Sequence, residues 1–243
     1  MPNRRQARNL DAASAAKNKG VRLPGVLFDL DGTLIDTVYE HVSAWSQTLR
    51  EAGIVFPTWK IHRHIGMSGK SFLRELLREM KPTSLRVNLD RLEKEHDSNF
   101  TKKTCRLELL PGSRELLNHL SERGVRWAIA TTGNRAQTER LLKPLQIPKQ
   151  VPVITGDDVP EAKPSPDVFV LAAKRLEVPI RDCIVVGDSV WDLLAAGRKS
   201  ALGVGLLSGG YGQEELERAG AFRVFADPAE MLLRIEQLGL PGE

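Results

Sequence analysis

Cysteine is nearly absent from this chain: Cys105 and Cys183 are the only two in 243 residues. That excludes a disulfide framework, and with Cys183 inside an apolar, strand-like run a reducing, cytoplasmic setting fits best. No apolar stretch approaches the roughly 18–20 residues that a membrane helix needs, so no membrane partner is expected. The first residues lack the hydrophobic core of a secretory signal. Internal repeats are missing, and so are low-complexity linkers beyond the N-terminal tail. None of the five histidines pairs with a cysteine or another histidine at metal-ligand spacing near a strand end, which removes zinc-type sites from consideration.

What is present first misleads. The formal charge is +4, which hints at nucleic acid until it is divided along the chain. Residues 1–25 hold Arg4, Arg5, Arg8, Lys17, Lys19 and Arg22 against Asp11 alone, a net +5 that leaves the remainder at −1. The tail, 1–24, shows no apolar period and is expected to be a disordered, solvated extension. Asp11 and the lack of an amphipathic stripe argue against a transit peptide. Nucleic acid is not an expected partner, although six basic residues offer backbone electrostatics. With 41% hydrophobic residues the rest can bury a core, as one large domain or one domain with an insert.

From Val26 onward short apolar runs alternate with helical patterns, the signature of βαβ units. Strands are expected at 26–29, 125–131, 151–155, 183–187, 203–206 and 222–225, each predominantly apolar, as a strand covered on both faces should be. Helical periods run through Leu116, Leu117 and Leu120, through Phe169, Ala172, Ala173 and Leu176, and through Met231, Leu232, Ile235 and Leu238. The fold class is therefore α/β, a doubly wound, Rossmann-like parallel sheet. Residues 37–108 break the alternation. Val38, Val42, Trp45, Leu49 and Ala52 mark one helix, Phe72, Leu73, Leu76, Leu77 and Met80 a second, and Leu85, Leu89, Leu92 and Phe100 a third. This all-helical insert, a cap between core segments 25–36 and 109–243, would stand over the C-terminal end of the first strand, where open parallel sheets bind ligands.

Four stretches at expected strand ends carry chemistry. Asp29 and Asp31 flank Leu30 where the first strand stops; like charges that close, with little solvent, need a cation, a lysine or a mobile proton. Thr131 and Thr132, followed by Gly133 and Asn134, offer hydroxyls and backbone N–H groups for an anionic oxygen, or merely a helix cap. Lys163 sits among prolines in Glu161-Ala162-Lys163-Pro164-Ser165-Pro166-Asp167, aimed inward or simply solvated. Asp188 and Asp192 follow the fourth strand at a spacing that puts both on one helix face. Oxygen donors from Asp29 and Asp188 suit Mg²⁺. The histidines, His41, His62, His64, His96 and His119, are expected away from the strand ends. Lysine, hydroxyl, metal and a nucleophilic carboxylate together equip a site for phosphoryl transfer, with the second acid of the pair moving the proton.

In order and spacing, Asp29-Leu30-Asp31-Gly32-Thr33, Thr131 after its apolar run, Lys163 in Ala-Lys-Pro-Ser-Pro-Asp, and Gly187-Asp188-Ser189 with Asp192 resemble the four motifs of the haloacid dehalogenase superfamily, over about residues 26–206. The resemblance implies Asp29 as nucleophile and Mg²⁺ ligand, and Asp31 as general acid/base whose main-chain carbonyl also binds metal. It implies Thr131 and Lys163 as phosphoryl holders, Asp188 completing the metal site, and Asp192 either behind the metal waters or an exchangeable ligand. The helical insert is similar to the cap of phosphoglycolate phosphatases and β-phosphoglucomutases. Asp31 favours phosphate esters over organohalides, since a halide leaves without a proton.

The expected function is hydrolysis of a small phosphate monoester, of the phosphoglycolate or sugar phosphate type, through an aspartyl phosphate. Tyr39, His41 and Trp45 leave a sugar phosphomutase open, although no arginine for a second phosphate appears in Ile65-Gly66-Met67-Ser68-Gly69-Lys70, and Trp45 also reads as cap core. Lys70 either meets a substrate anion or is a solvated lysine at a helix start. A non-catalytic binding module on the same fold is the reading from another class. Whether the chain is a monomer or a dimer is not encoded legibly.

Overall fold

The computed structural model describes residues 23–79 and 88–242. The expected tail lies almost wholly outside the described residues, as do Met80 and Leu85 of the expected cap helices. Six strands, β1 (Gly25–Phe28), β2 (Trp127–Ala130), β3 (Val153–Ile154), β4 (Cys183–Gly187), β5 (Leu202–Leu206) and β6 (Ala221–Phe225), form one sheet in the order β3-β2-β1-β4-β5-β6, and every pairing is parallel. Between β1 and β2 come α1 (Val38–Glu51), α2 (Thr58–His62), α3 (Gly69–Glu79) and α4 (Leu89–Lys103), then α5 (Ser113–Glu122). The remaining helices are α6 (Arg135–Leu142), α7 (Asp167–Arg175), α8 (Val190–Gly197), α9 (Gln213–Arg218) and α10 (Pro228–Leu233).

The sequence dictates three layers through the two-residue period of a strand. Val26 and Phe28 of β1 point into one apolar cluster with Leu116, Leu117 and Leu120 of α5, Leu141 of α6 and Met231 of α10. Leu27, between them, points into the other, with Phe169, Ala172 and Ala173 of α7 and Ala195 and Ala196 of α8. All three β1 side chains are fully buried, and that explains the unbroken apolar run. Helices α1, α3 and α4 bury a separate cluster of their own that includes Val42, Trp45, Leu49, Phe72, Leu73, Leu76 and Leu92.

Register places the site. Phe28 is level with Ile129 of β2 and Val186 of β4, so the chain leaves these three neighbouring strands side by side. Because β1 is flanked by β2 on one side and β4 on the other, successive crossovers run to opposite sides of it, and a crevice opens at the C-terminal end of β1. Ser113 Oγ, at the start of α5, donates to Leu34 O at 2.8 Å and fastens the loop that follows β1.

Four expectations are corrected. Strand β1 begins one residue before its expected start, and β2 and β3 are shorter than the apolar runs that encode them, because flanking residues such as Arg126 and Thr131 make single ladder contacts without continuing the pairing. Strand β6 is not covered on both faces: it is an edge strand, and Phe222 is 46% exposed. The expected last helix stops at Leu233 and resumes as a 3₁₀ turn, Ile235–Leu238. Helix α2 went unseen, since five residues with Ile61 as their one buried side chain give no readable period.

Phe28→Ala should cost about 3–5 kcal/mol in urea unfolding, since it leaves a cavity beneath the crevice, whereas Phe222→Ala on the exposed edge should stay within about 1 kcal/mol. Equal losses at the two positions would contradict the layer assignment.

Candidate active site

Each chemical residue is placed by the element before it. Asp29 follows β1 directly, and its amide N donates to Val186 O at 2.9 Å, so the backbone is still tied to β4 where the carboxylate emerges. The chain then turns tightly: Gly32 N donates to Ile35 O at 2.8 Å, and Gly32 has φ +75°, a conformation that side-chain-bearing residues rarely adopt. A Cβ at Gly32 would strike the Asp188 carboxylate. Glycine is needed there twice over, for the turn and for the close approach.

At the centre of the crevice is a buried ion cluster. Lys163 Nζ lies 2.5 Å from Asp29 Oδ1 and 2.8 Å from Asp192 Oδ1, and the lysine is wholly inaccessible. The Phe169 ring supports the ammonium from below at 4.9 Å. Asp192 is spent on both sides, for its Oδ2 accepts from Ser189 Oγ at 2.5 Å and Ser189 N at 3.2 Å in a capping box that opens α8. Asp188 lies just before that cap and accepts from Thr33 Oγ1 at 2.9 Å. One carboxylate oxygen from each of Asp29, Asp188 and Asp192 lies within 4.8 Å of the others.

Three buried carboxylates face one ammonium, and the imbalance shows in their acidities. Burial, only partly offset by Lys163, pushes Asp29 up to about 7. Burial, then the charges of Asp192 and Asp29, raises Asp188 well above the usual carboxylate range. Burial works against the Lys163 ammonium, yet Asp192 and Asp29 together carry it above an ordinary lysine. A cluster that is short of positive charge and built from oxygen donors alone suits a hard divalent cation such as Mg²⁺.

Asp31 faces the other way. Its Oδ1 accepts from Thr37 Oγ1 at 2.6 Å and lies 3.3 Å from His41 Nε2. Burial works to raise Asp31, but the hydrogen bond and charge of His41, with Thr37, outweigh it and leave the carboxyl below its usual range. The two acids of the pair are thus held by different partners: Asp29 by the core lysine, Asp31 by the insert. The expectation that the histidines stay clear of the strand ends is corrected here. His41, His64 and His96 all line the crevice, because the insert folds back over β1 and carries α1 and α4 with it.

The crevice is a cleft of about 580 Å³ between body and insert. Asp29, Asp31, Asp188, Thr131, Thr132 and Lys70 all border it, while Lys163 and Asp192 lie beneath its floor. Thr131 Oγ1 accepts from Gly133 N at 3.1 Å, and Thr132 Oγ1 donates to Gly66 O of the insert at 3.3 Å. Lys70 Nζ is 2.9 Å from Asp90 Oδ1, half exposed on the insert's rim. His96 and Asp97 were missed from sequence; His41 was singled out there, with Tyr39 and Trp45, only as a feature similar to sugar phosphomutases and not as a partner of Asp31.

Residues 23–198 match the haloacid dehalogenase-like hydrolase family. The chain belongs to that family. It is 32% identical over 180 residues to hexitol phosphatase A of Escherichia coli K12, covering 73% of this chain and 81% of that one. Phosphoglycolate phosphatase of Nitrosospira multiformis is also 32% identical, over 72% of this chain and 78% of its own length. The solved structure of a hydrolase from Pseudomonas syringae superposes with a TM-score of 0.84 at 42% identity, covering 89% of this chain and 99% of that one. As a member of this family the protein is a phosphoric monoester hydrolase by class, and no helix among the described residues is long and apolar enough to cross a membrane.

The raised acidity constant of Asp29 has a consequence for stability. A carboxyl whose pKa rises from 3.8 unfolded to about 7 folded holds its proton more tightly in the folded state. Folding is therefore favoured at acid pH, and that advantage drains away as pH climbs from about 4 to 7. In metal-free buffer Asp29→Asn should melt higher than wild type at pH 8, by about 1–3 kcal/mol or roughly 2–10 °C, with the difference vanishing near pH 4. A constant offset across pH would show that Asp29 is not strained by its burial.

Proposed function

We propose that this enzyme hydrolyses a small sugar or polyol monophosphate, with Mg²⁺ as cofactor, through an aspartyl phosphate on Asp29. The observation that carries the proposal is the buried Asp29–Lys163 ion pair at the floor of the cleft, with Asp31 two residues on and free of that pair. Lys163 offsets part of the burial that raises Asp29, and the bound cation would complete the ionisation that attack on phosphorus requires. As the Asp29–phosphorus bond forms and the ester bond breaks, Asp31, whose carboxyl is held below its usual range, passes to the departing oxygen the proton that a monoanionic phosphate ester brings in. Asp31 then takes a proton from the water that cleaves the acyl phosphate, and inorganic phosphate leaves. The Thr131 hydroxyl, Thr132 and the nearby backbone N–H groups are suited to orient the phosphoryl oxygens.

Asp29 and Asp188 would hold the ion, joined by the main-chain carbonyl of Asp31 as the family pattern implies. When bound, it would supply positive charge against the phosphoryl oxygens. Asp192, with both oxygens engaged, is better suited to steady Lys163 and α8 from behind than to ligate.

The insert's wall supports the choice of ester. Asp90 and Glu93 border the cleft there beside Lys70 and Lys94, and Lys70 is already paired with Asp90, so no surplus positive charge awaits a second anion. Carboxylates of this kind accept hydrogen bonds from hydroxyls, which favours a neutral polyhydroxylated end over the carboxylate of phosphoglycolate or a bisphosphate. One observation speaks for a mutase: His41 and Trp45 do border the cleft. Tyr39, however, stacks on His62 and is 56% exposed, outside it.

Phosphate release from a metabolite panel is the test. A hexitol phosphate should exceed phosphoglycolate by about tenfold or more in kcat/KM. Asp29→Asn or excess EDTA should abolish release, and turnover equal to wild type in Asp29→Asn would sink the proposal. Glucose 1-phosphate converted to glucose 6-phosphate rather than to free phosphate would establish the mutase instead.

A further inference from the structure

A chain of hydrogen bonds runs from Asp31 away from the phosphoryl site into the insert. His41 Nε2 lies 3.3 Å from Asp31 Oδ1, His41 Nδ1 lies 3.1 Å from His96 Nε2, and His96 Nδ1 lies 3.2 Å from Asp97 Oδ1. Asp97 is anchored in turn by two amides of the body: Gln137 Nε2 donates to its Oδ1 at 2.7 Å and Asn134 Nδ2 to its Oδ2 at 3.0 Å. Amide nitrogens can only donate, so Asp97 is an acceptor at every contact.

The direction of the chain follows from that. Facing an acceptor, His96 Nδ1 must carry hydrogen. Burial holds the ring neutral, pushing its pKa down to about 4, so Nε2 presents a lone pair. His41 Nδ1 must then carry hydrogen toward His96, and its Nε2 is turned to Asp31. Packing holds both rings in the planes these bonds require: His96 stacks on Trp45 with ring centroids 4.1 Å apart, and His41 stacks on Phe100 at 3.8 Å. His96 is 5% exposed, so water does not substitute for these contacts.

We infer that His96 and Asp97 are positioning residues for proton transfer at Asp31: Asp97 sets the tautomer of His96, His96 sets the orientation of His41, and His41 with Thr37 holds the acid over the departing oxygen. The inference rests on the proposed role of Asp31 as general acid. Both line the cleft wall, but their hydrogen bonds to other residues go to His41, Asn134 and Gln137, and none goes to Asp29, Lys163 or Asp188. Their effect is therefore confined to the proton, in the manner of a carboxylate that orients a catalytic imidazole.

That confinement gives the test. kcat/KM reports the steps through departure of the leaving group, and p-nitrophenolate departs without a proton whereas a sugar or polyol alkoxide does not. Wild type, His96→Phe, Asp97→Asn and Asp31→Asn are compared on a hexitol phosphate and on p-nitrophenyl phosphate. His96→Phe keeps the aromatic stack and removes both hydrogen bonds. It and Asp97→Asn should lose about 10- to 100-fold in kcat/KM on the alkyl ester and no more than about 3-fold on the aryl ester, whose retained turnover also shows that the variants are folded. Equal losses on both esters, or no loss on either, would overturn the inference. Asp31→Asn should show the same pattern more strongly. If it alone discriminates between the esters, His96 and Asp97 are structural only; if it too fails to discriminate, the proposed role of Asp31 falls with the inference.

Discussion

Everything in this site answers to one electrostatic constraint: a single buried ammonium, Lys163, must serve more carboxylates than it can neutralise. It pairs with Asp29 and Asp192 at once and leaves Asp188 to the Thr33 hydroxyl. Such a cluster would be costly in a core that had no other task, because burying unpaired charge costs several kcal/mol per ion. The sheet makes it tolerable by delivering the groups from different strands, β1, β4 and the loop before α7, so that each is fixed by its own backbone. Asp192 is held by the capping box of α8, Asp29 by the β4 ladder, Lys163 by the Phe169 ring beneath it.

The second constraint is the separation of two acids that are close in sequence. Asp29 and Asp31 lie on either side of Leu30, whose fully buried side chain pins the turn. One carboxylate is directed down to the lysine and the other up to α1. Their environments push them apart in acidity, burial raising the first and His41 and Thr37 lowering the second. Taken alone those shifts run against the proposed roles, since the raised group holds its proton and the lowered one sheds it; what favours Asp29 for attack is its place against Lys163 and the cation site, and what favours Asp31 for the proton is its place on the insert side.

Much of this was legible from the residues. The strand-end acids, the lysine between prolines and the alternation of apolar runs with helical periods located the sheet, the crevice and the cluster, since short-range patterns encode them. The role of Asp192 was visible only in outline, because a carboxylate at the third position of a helix reads equally as cap or ligand until its second oxygen is located. The histidines were misjudged for a plainer reason. His41, His96 and Asp97 meet only after α1 and α4 pack and the insert folds over β1, and no local period records a contact 55 residues apart. Edge exposure at Phe222 was only faintly legible: strand order is a property of the whole sheet, and Arg223 is the one charged residue that sets β6 apart from β4 and β5.

Asp97 accepts from Asn134, which caps α6, and from Gln137 in its first turn, while closing the histidine series that begins at Asp31. The insert is therefore not a free-standing attachment that selects substrates independently of the chemistry. It shares polar seams with the body at the start of α1, at the start of α6, and around Arg63, whose carbonyl accepts from Trp191 and Tyr211 and whose guanidinium pairs with Glu215. Exchange of this insert for another, whether by recombination during descent or by deliberate grafting, can keep the lysine and its carboxylates intact and still disable the enzyme. A viable exchange has to carry His41, His96 and Asp97 together, or replace the amides of α6 to match. The unit of inheritance in such a protein is the insert together with the first turn of α6.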